Sequence, residues 1–283
     1  MMKIIESPRE GMQGFSRIIP TEEKIGYINQ LLRVGFDTVE TGSIVSPKAI
    51  PQMADSLETL QKLDFTGNNS KIMALAVNKR GAEIIATLEN VTHISYPFSF
   101  SPAFIKMNLN STVEKSLETV KHIVNLCELS GKTAVIYISM AFGNPYGDEW
   151  SIELLSHWTG KLFQAGARII PLSNVSIEID ASLISKVYST LIPMFPDVEF
   201  GLHLHTANEG WFEKVDAAWN AGCRRFDSVI NGLGGCPMAG KKTLGNLKTE
   251  NLLKFAEKKR INAHIDQPAF LEACNVASGV FFK

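Results

Sequence analysis

Little in this sequence points to a disulfide scaffold, a nucleic-acid partner or a membrane. Its 283 residues include only four cysteines, which form no CxxC pair: Cys127, Cys223, Cys236 and Cys274. Scattered cysteines are typical of a reduced setting, so we expect a cytoplasmic protein. The formal net charge of −1 gives no electrostatic reason to expect nucleic acid or an anionic membrane as a partner. The longest apolar runs, such as 133–142, have the length of a strand rather than of a membrane span.

Strand-like and helix-like segments alternate along the whole chain, without a low-complexity stretch or a long polar linker between them. We predict strands near residues 3–7, 37–43, 71–77, 91–97, 133–141, 168–174, 198–205 and 224–230. We predict helices near 21–34, 47–63, 79–88, 111–130, 151–165, 181–194, 210–221 and 247–259. Eight such units favour an α/β fold closed into a (β/α)8 TIM barrel, with an open doubly wound sheet as the alternative. The barrel is then expected to be one domain, residues 1–283, in which 260–283 form a C-terminal helical extension.

Side-chain alternation within the predicted strands supports closure around an internal site. From 198 to 205 the odd-numbered positions, which include His203 and His205, alternate with apolar residues. Tyr137 and Ser139 share one face of the fifth strand, and Glu40 lies on the polar face of the second. Successive strand residues point to opposite sides, so we expect these polar side chains to face the barrel interior.

The segment Gly201-Leu202-His203-Leu204-His205 is the strongest local signal for chemistry. Two histidines at positions i and i+2 of one strand point the same way and are close enough to bind one metal ion. Two histidines of the core are the alternative, but the C-terminal end of a barrel strand is where active sites of this architecture lie. The pair therefore predicts a metal site.

Further ligands are expected at the C-terminal ends of other strands. Glu10 follows the first strand beside the fixed cation Arg9, although these two could also form a surface ion pair. The second strand delivers Ser43 as well as Glu40, and Asn246 follows the eighth strand. Two imidazole nitrogens with a carboxylate and an amide oxygen suit Mg²⁺ or Mn²⁺ in octahedral geometry.

A glycine-rich loop over residues 231–242 contains Cys236. Its glycines predict a mobile lid, on which the thiol of Cys236 could donate or accept a proton when the loop closes over the site. An inert loop cysteine is the alternative. The loop also matches a phosphate-binding P-loop except at the last position, where Lys242 stands in place of the Ser or Thr that holds Mg²⁺. This mismatch argues against nucleotide binding.

Several short segments match, in order and spacing, the motifs of one enzyme family. They are Ser7-Pro8-Arg9-Glu10-Gly11-Met12-Gln13, Val45-Ser46-Pro47-Lys48 with Pro51-Gln52-Met53, the His203/His205 pair, the GLGGCPMA run from Gly232 to Ala239, and Gly245-Asn246-Leu247. Together they cover roughly residues 3–275, and the chain resembles the hydroxymethylglutaryl-CoA lyases of the DRE-TIM metallolyase superfamily. The GLGGCPMA and VSPK…PQM segments resemble the lyase branch rather than the citramalate and isopropylmalate synthases.

The resemblance implies a role for each candidate residue. The implied metal ligands are Glu10, His203, His205 and Asn246. The implied catalytic residues are Arg9, which stabilises the enolate of the departing acetyl thioester, Glu40, which supports the metal-site groups, His203, and Cys236, which transfers a proton. The implied substrate-binding residues are Arg9, Ser43, Tyr137, Ser139 and Asn174.

The resemblance also implies a reaction, a retro-Claisen cleavage of 3-hydroxy-3-methylglutaryl-CoA to acetyl-CoA and acetoacetate that depends on Mg²⁺ or Mn²⁺. The expected partner is a small-molecule acyl-CoA, and we expect a homo-oligomer, a dimer. Three positions depart from the family pattern. Glu10 replaces an aspartate, Asn174 replaces an ionisable group, and Thr206-Ala207 replace Asp-Thr. These departures leave two alternatives, namely a weak or silent barrel that binds an acyl-CoA or an acid, and a related lyase or aldolase for a different 3-hydroxyacyl substrate.

Overall fold

A closed barrel of eight parallel strands forms the centre of the computed structural model, which describes residues 1–175, 177–234 and 244–282. The barrel strands are Lys3–Glu6 (β1), Thr38–Ile44 (β2), Lys71–Ala76 (β3), His93–Phe98 (β4), Thr133–Ser139 (β5), Ile169–Ser173 (β6), Glu199–His203 (β7) and Arg225–Ser228 (β9). Two further strands, His205–Thr206 (β8) and Gly245–Asn246 (β10), form a separate antiparallel pair. The predicted (β/α)8 barrel is confirmed, and the open sheet is excluded because β1 pairs with both β2 and β9.

The helices surround the barrel. They are Pro8–Gln13 (α1), Thr21–Leu32 (α2), Ser56–Lys62 (α3), Lys79–Ala86 (α4), Pro102–Leu109 (α5), Val113–Ser130 (α6), Ile152–Gln164 (α7), Ala181–Met194 (α8), Trp211–Asn220 (α9), Thr249–Lys259 (α10) and Gln267–Phe281 (α11). Short 3-10 turns lie at Pro51–Met53 and Ile230–Gly232. Among the described residues, no helix combines the length and apolar character needed to cross a membrane.

Capping side chains fix where several helices begin. Asn78, Ser101 and Ser151 each precede a helix and accept a hydrogen bond from a backbone N–H of its first turn. A side-chain oxygen at this position satisfies one of the backbone donors that an α-helix leaves unpaired. These caps place α4, α5 and α7 immediately after the strands or loops that precede them.

The helices differ from the sequence prediction in three places. Residues 47–63 form a 3-10 turn followed by the shorter α3, and α1 and α5 were not predicted at all. Both unpredicted helices begin with a proline, Pro8 or Pro102, at the first helical position, where a missing N–H costs nothing. Helix α1 matters most for the site, because it carries Arg9 and Glu10.

Two layers of apolar side chains hold the barrel together. Inside it, Ile5, Met73, Val135 and Tyr137 form a small cluster from alternate strands, as expected for layered packing of a barrel interior. Outside it, the opposite faces of the strands pack against the helices in one continuous core. In the C-terminal extension, the ring of Phe281 in α11 lies edge-to-face against the rings of Phe15 and Tyr27, with centroid distances of 5.4 and 5.7 Å. The interior layer leaves the C-terminal mouth of the barrel to polar side chains.

Candidate metal centre and active site

Glu10, His203 and His205 converge at the C-terminal mouth of the barrel. One ligand atom from each of the three lies within 4.8 Å of the others, and all three side chains are buried. The two imidazoles face each other with their Nε2 atoms 3.1 Å apart. Three side chains that offer lone pairs to one point are the arrangement that a cation requires.

The geometry of the histidine pair depends on a break in the strand. We predicted one strand from 198 to 205, and this is wrong, because β7 ends at His203 and His205 begins the separate strand β8. The carbonyl of Leu204 accepts the backbone N–H of Leu247 at 3.0 Å, which draws the chain out of the barrel ladder. The rings nevertheless share a face, with centroids 4.9 Å apart and planes at 64°.

Asn174 fixes the backbone of His205. Its Oδ1 accepts the His205 N–H at 2.8 Å, and its Nδ2 donates to the His205 carbonyl at 2.7 Å. The same Nδ2 donates to the carbonyl of Ile177. Asn174 is fully buried and does not line the cavity described below. The structure therefore places it behind His205 and not at the substrate position that we predicted.

Arg9 lies between two carboxylates. Its Nη2 and Nε donate to Oε2 of Glu40 at 2.6 and 3.1 Å, and its Nη1 pairs with Glu10. Gln13 accepts a further hydrogen bond from Nη1, and Ser95 donates to the other oxygen of Glu40. Burial disfavours the charged guanidinium, but Glu10 and Glu40 outweigh that effect and hold the pKa of Arg9 above its ordinary value. Arg9 is thus a fixed cation beside the candidate ligands.

The charge states of Glu10 and His205 suit a divalent ion. At His203 burial lowers the pKa, but the hydrogen bond and charge of Asp227 outweigh it and raise the pKa, so this imidazole must be neutral before it binds an ion. Burial and the neighbouring His203 lower the pKa of His205 to about 3, so its imidazole is neutral and keeps a lone pair at neutral pH. Burial would raise the pKa of Glu10, but the charge of Arg9, followed by the two histidines, lowers it. An anionic carboxylate beside a neutral imidazole is a donor set that Mg²⁺, Mn²⁺ and related ions accept. The residues present therefore fit a divalent cation.

Asn246 lies next to the histidine pair through the small sheet. It pairs in register with His205, and its Nδ2 donates to the Leu233 carbonyl at 2.7 Å, which leaves Oδ1 as the atom for an ion. Gly234, the last described residue before 235–243, packs on α1. Gly234 has φ +80°, and a Cβ there would lie 3.0 Å from the Cα of Gly11. A side chain at this position would displace the helix that carries Glu10.

A cavity of ≈ 170 Å³ opens beside the three ligands. Glu10, His203 and His205 line it together with Arg9, Tyr137 and Ser139, and its remaining wall is largely apolar, with Val45, Ile50, Leu75, Val77, Phe104, Leu109 and Val175. Not every predicted site residue lines this cavity. Ser43 is fully buried outside the lining, where its backbone N–H donates to Ser56. Cys236 and the rest of 235–243 lie outside the described residues.

Asp227 of β9 is a site residue that the sequence analysis missed. Its Oδ2 lies 3.0 Å from Nδ1 of His203 and accepts a 2.6 Å hydrogen bond from the hydroxyl of Tyr137. The tyrosine ring meets the imidazole of His203 edge-on, with centroids 5.7 Å apart. A signal was present, because an acid at a buried, inward position of a strand needs a partner.

Fold and site together define a class. A (β/α)8 barrel with two histidines, a carboxylate and a fixed arginine at the C-terminal ends of its strands is built for metal-assisted chemistry on a small molecule. The HMGL-like family model matches residues 2–277. The chain belongs to this family of carbon–carbon lyases.

Similar proteins carry lyase names. The chain is 30% identical over 267 residues to hydroxymethylglutaryl-CoA lyase YngG of Bacillus subtilis, covering 94% of this chain and 88% of that protein. It is 27% identical over 276 residues to (R)-citramalyl-CoA lyase of Chloroflexus aurantiacus, covering 94% of this chain and 86% of that protein.

Solved structures agree over the whole chain. The HMG-CoA lyase of Bacillus subtilis superposes with a TM-score of 0.92 at 28% identity, covering 100% of this chain and 94% of that one. An HMG-CoA lyase from Acinetobacter baumannii in complex with coenzyme A and 3-methylmalate superposes with a TM-score of 0.90 at 26% identity, covering 100% of this chain and 92% of that one.

Proposed function

We propose that this protein cleaves 3-hydroxy-3-methylglutaryl-CoA to acetyl-CoA and acetoacetate with the help of Mg²⁺ or Mn²⁺. The observation that carries the proposal is the convergence of Glu10, His203 and His205 beside a cavity that Arg9 also lines. The names of the similar proteins supply the substrate, and coenzyme A in one similar structure supports an acyl-CoA partner. Asn246 is proposed as the fourth ligand because it pairs with His205.

The chain's own groups have defined parts in this reaction. The C2–C3 bond breaks, its electron pair passes to the acetyl thioester as an enolate, and the 3-hydroxyl loses its proton to become the ketone of acetoacetate. When bound, the cation polarises the substrate oxygens and eases loss of that proton. Arg9 meets the negative charge of the enolate, and Glu40 holds Arg9 in place through two hydrogen bonds. Tyr137 and Ser139 add hydroxyl groups to the cavity wall.

The enolate must gain a proton at C2 to become acetyl-CoA. Cys236 remains the predicted donor, on a loop that lies outside the described residues. The homodimer and the cytoplasmic location also stay predictions from the sequence.

The test is a product assay with purified protein, Mn²⁺ and 3-hydroxy-3-methylglutaryl-CoA. We expect acetyl-CoA and acetoacetate in equal amounts, and no turnover after chelation. Arg9→Met should lower kcat by about 10²–10³-fold, the usual cost of removing one charge-stabilising donor. Arg224→Gln is the matched control, because Arg224 stacks on Trp219 at the opposite end of the barrel and should keep full activity.

A related lyase with another 3-hydroxyacyl substrate is the second candidate. The similarity to (R)-citramalyl-CoA lyase favours it. Turnover of citramalyl-CoA without turnover of 3-hydroxy-3-methylglutaryl-CoA would replace the first candidate by the second. Mn²⁺ and coenzyme A binding without turnover of any thioester would contradict both and leave a silent binding barrel.

A further inference from the structure

The two histidines of the metal centre are held in different ways. His205 is held through its backbone by Asn174, and its ring Nδ1 has no hydrogen-bond partner among the described residues. His203 is held through its ring, because Nδ1 lies 3.0 Å from Oδ2 of Asp227. Asp227 therefore acts directly on the imidazole of one ligand only.

Both neighbours of the Asp227 oxygen are donors. The Tyr137 hydroxyl donates to Oδ2 at 2.6 Å, and His203 approaches the same oxygen. A carboxylate has no proton to donate, so Nδ1 of His203 must carry one. In the neutral imidazole, the form that binds a metal ion, Nε2 is then left with a lone pair that points toward His205. The opposite tautomer would put two lone pairs against each other at Nδ1 and a proton where an ion belongs.

Burial makes the contact between Asp227 and His203 hard to replace by water. Asp227 and Tyr137 are 2% and 8% exposed, so water cannot substitute readily for a lost partner. Oδ1 of Asp227 has no partner among the described residues, and the carboxylate contacts His203 and Tyr137 through Oδ2 alone. The described hydrogen bonds of the carboxylate thus go to the candidate metal ligand His203 and to Tyr137, which lines the cavity.

We propose that Asp227 is a positioning residue of the metal centre, which fixes the tautomer and the ring orientation of His203 and ties it to Tyr137. The inference rests on the metal site in the proposed function and not on the identity of the substrate. Partners that orient a metal-bound histidine typically contribute 10–100-fold to metal affinity.

The experiment measures Mn²⁺ binding by calorimetry, without turnover, in the full-length protein. Asp227→Asn keeps the size of the side chain but removes the charge and can turn an N–H toward His203, so it should weaken binding by about 10–100-fold. Tyr137→Phe leaves the contact between Asp227 and His203 intact and should bind Mn²⁺ nearly as well as wild type. Asp37→Asn is the matched control, since it removes a carboxylate from the opposite mouth of the barrel.

A second measurement covers the case in which Asp227→Asn does not fold. A long-range ¹H–¹⁵N spectrum of the Mg²⁺-loaded wild type should show the His203 proton on Nδ1. A proton on Nε2, or Mn²⁺ affinity of a folded Asp227→Asn equal to that of Asp37→Asn, would overturn the proposal while leaving the metal site intact. Wild-type protein that binds no Mn²⁺ would overturn the metal site itself, and this inference with it.

Discussion

The two mouths of the barrel arrange their charged side chains in opposite ways. At the N-terminal mouth, Asp37 pairs with Lys71 at 3.0 Å, and Glu199 pairs with Lys3 and with Arg225. Each of these carboxylates faces cations at the starts of neighbouring strands. Such complementary pairs satisfy one another and leave little for a ligand to do.

At the C-terminal mouth, lone pairs converge instead of pairing. His203 and His205 direct their Nε2 atoms at each other, and Glu10 lies within reach of both. The acidic edge of this group is neutralised by the ion pair of Glu10 with Arg9. Convergent acceptors are unfavourable until a cation joins them, so this end of the barrel is organised for binding while the other is organised for stability.

The largest effect is expected from the histidines. His203→Ala or His205→Ala should weaken Mn²⁺ binding by more than about 100-fold, because even residues that only orient a ligand contribute 10–100-fold. The fold should survive, since neither imidazole belongs to the apolar core that holds the barrel and helices together. Mn²⁺ titration and far-UV circular dichroism measure both properties. His122→Ala, which alters a partly exposed histidine of α6, is the control, and unchanged metal content in both site variants would contradict the comparison.

Asn174→Asp sharpens the comparison within the C-terminal mouth. Asn174 replaces an ionisable group of the family pattern, but the structure predicts that an aspartate at this position damages the site. An aspartate would oppose the carbonyls of His205 and Ile177 without a proton to donate. We expect a loss of about 1–3 kcal/mol in the free energy of unfolding, together with weaker Mn²⁺ binding.

Urea unfolding and Mn²⁺ titration measure these two losses. Asn78→Asp is the matched control, because Asn78 uses only its oxygen, to cap α4, and an aspartate preserves that bond. If cleavage activity instead rises in Asn174→Asp, a carboxylate at this position contributes more to activity than the hydrogen bonds that Asn174 makes to the backbone of His205.

The N-terminal mouth should show the reverse pattern. Glu199→Gln removes the charge that Lys3 and Arg225 share. We expect the free energy of unfolding to fall by about 1 kcal/mol, because Glu199 and Lys3 are partly exposed and solvent screens their pairing. Mn²⁺ affinity should not change. A variant that lost metal affinity in proportion to its stability would mean that the two mouths are not independent.

Glu10→Asp should have the smallest effect. The carboxylate is retained and becomes the aspartate of the family pattern, so Mn²⁺ affinity and any lyase activity should be kept or improved. Glu10→Gln is the comparison, because it removes the charge at constant size and should bind Mn²⁺ less tightly. Equal losses in both variants would show that the length of this side chain, and not its charge, sets the site.

Alternation of side chains explains why part of the site was predictable. A strand fixes which residues share a face, so His203, His205, Tyr137 and Ser139 could be assigned to the interior from their spacing alone. The same rule would have found Asp227, which lies two residues from Arg225 on an inward face of β9. It was overlooked because its partner is 24 residues away.

Other features depend on contacts that spacing cannot express. From the sequence, Asn174 is simply an uncharged residue where the family pattern has an ionisable one. The need for an amide becomes visible only in its hydrogen bonds to the backbone of His205, 31 residues away. The end of β7 at His203 depends on the hydrogen bond from Leu247 to Leu204. Helix α1 was also missed, although Pro8 at its start was a usable signal.

The most direct test of the account is a crystal structure of the protein soaked with Mn²⁺, in which anomalous scattering locates the ion. We predict one strong peak between Nε2 of His203 and Nε2 of His205, with a carboxylate oxygen of Glu10 coordinated to it, and none among the paired charges of the N-terminal mouth. A peak elsewhere, or Glu10 turned away from an ion bound to the histidines, would contradict the claim that these converging lone pairs form the metal centre.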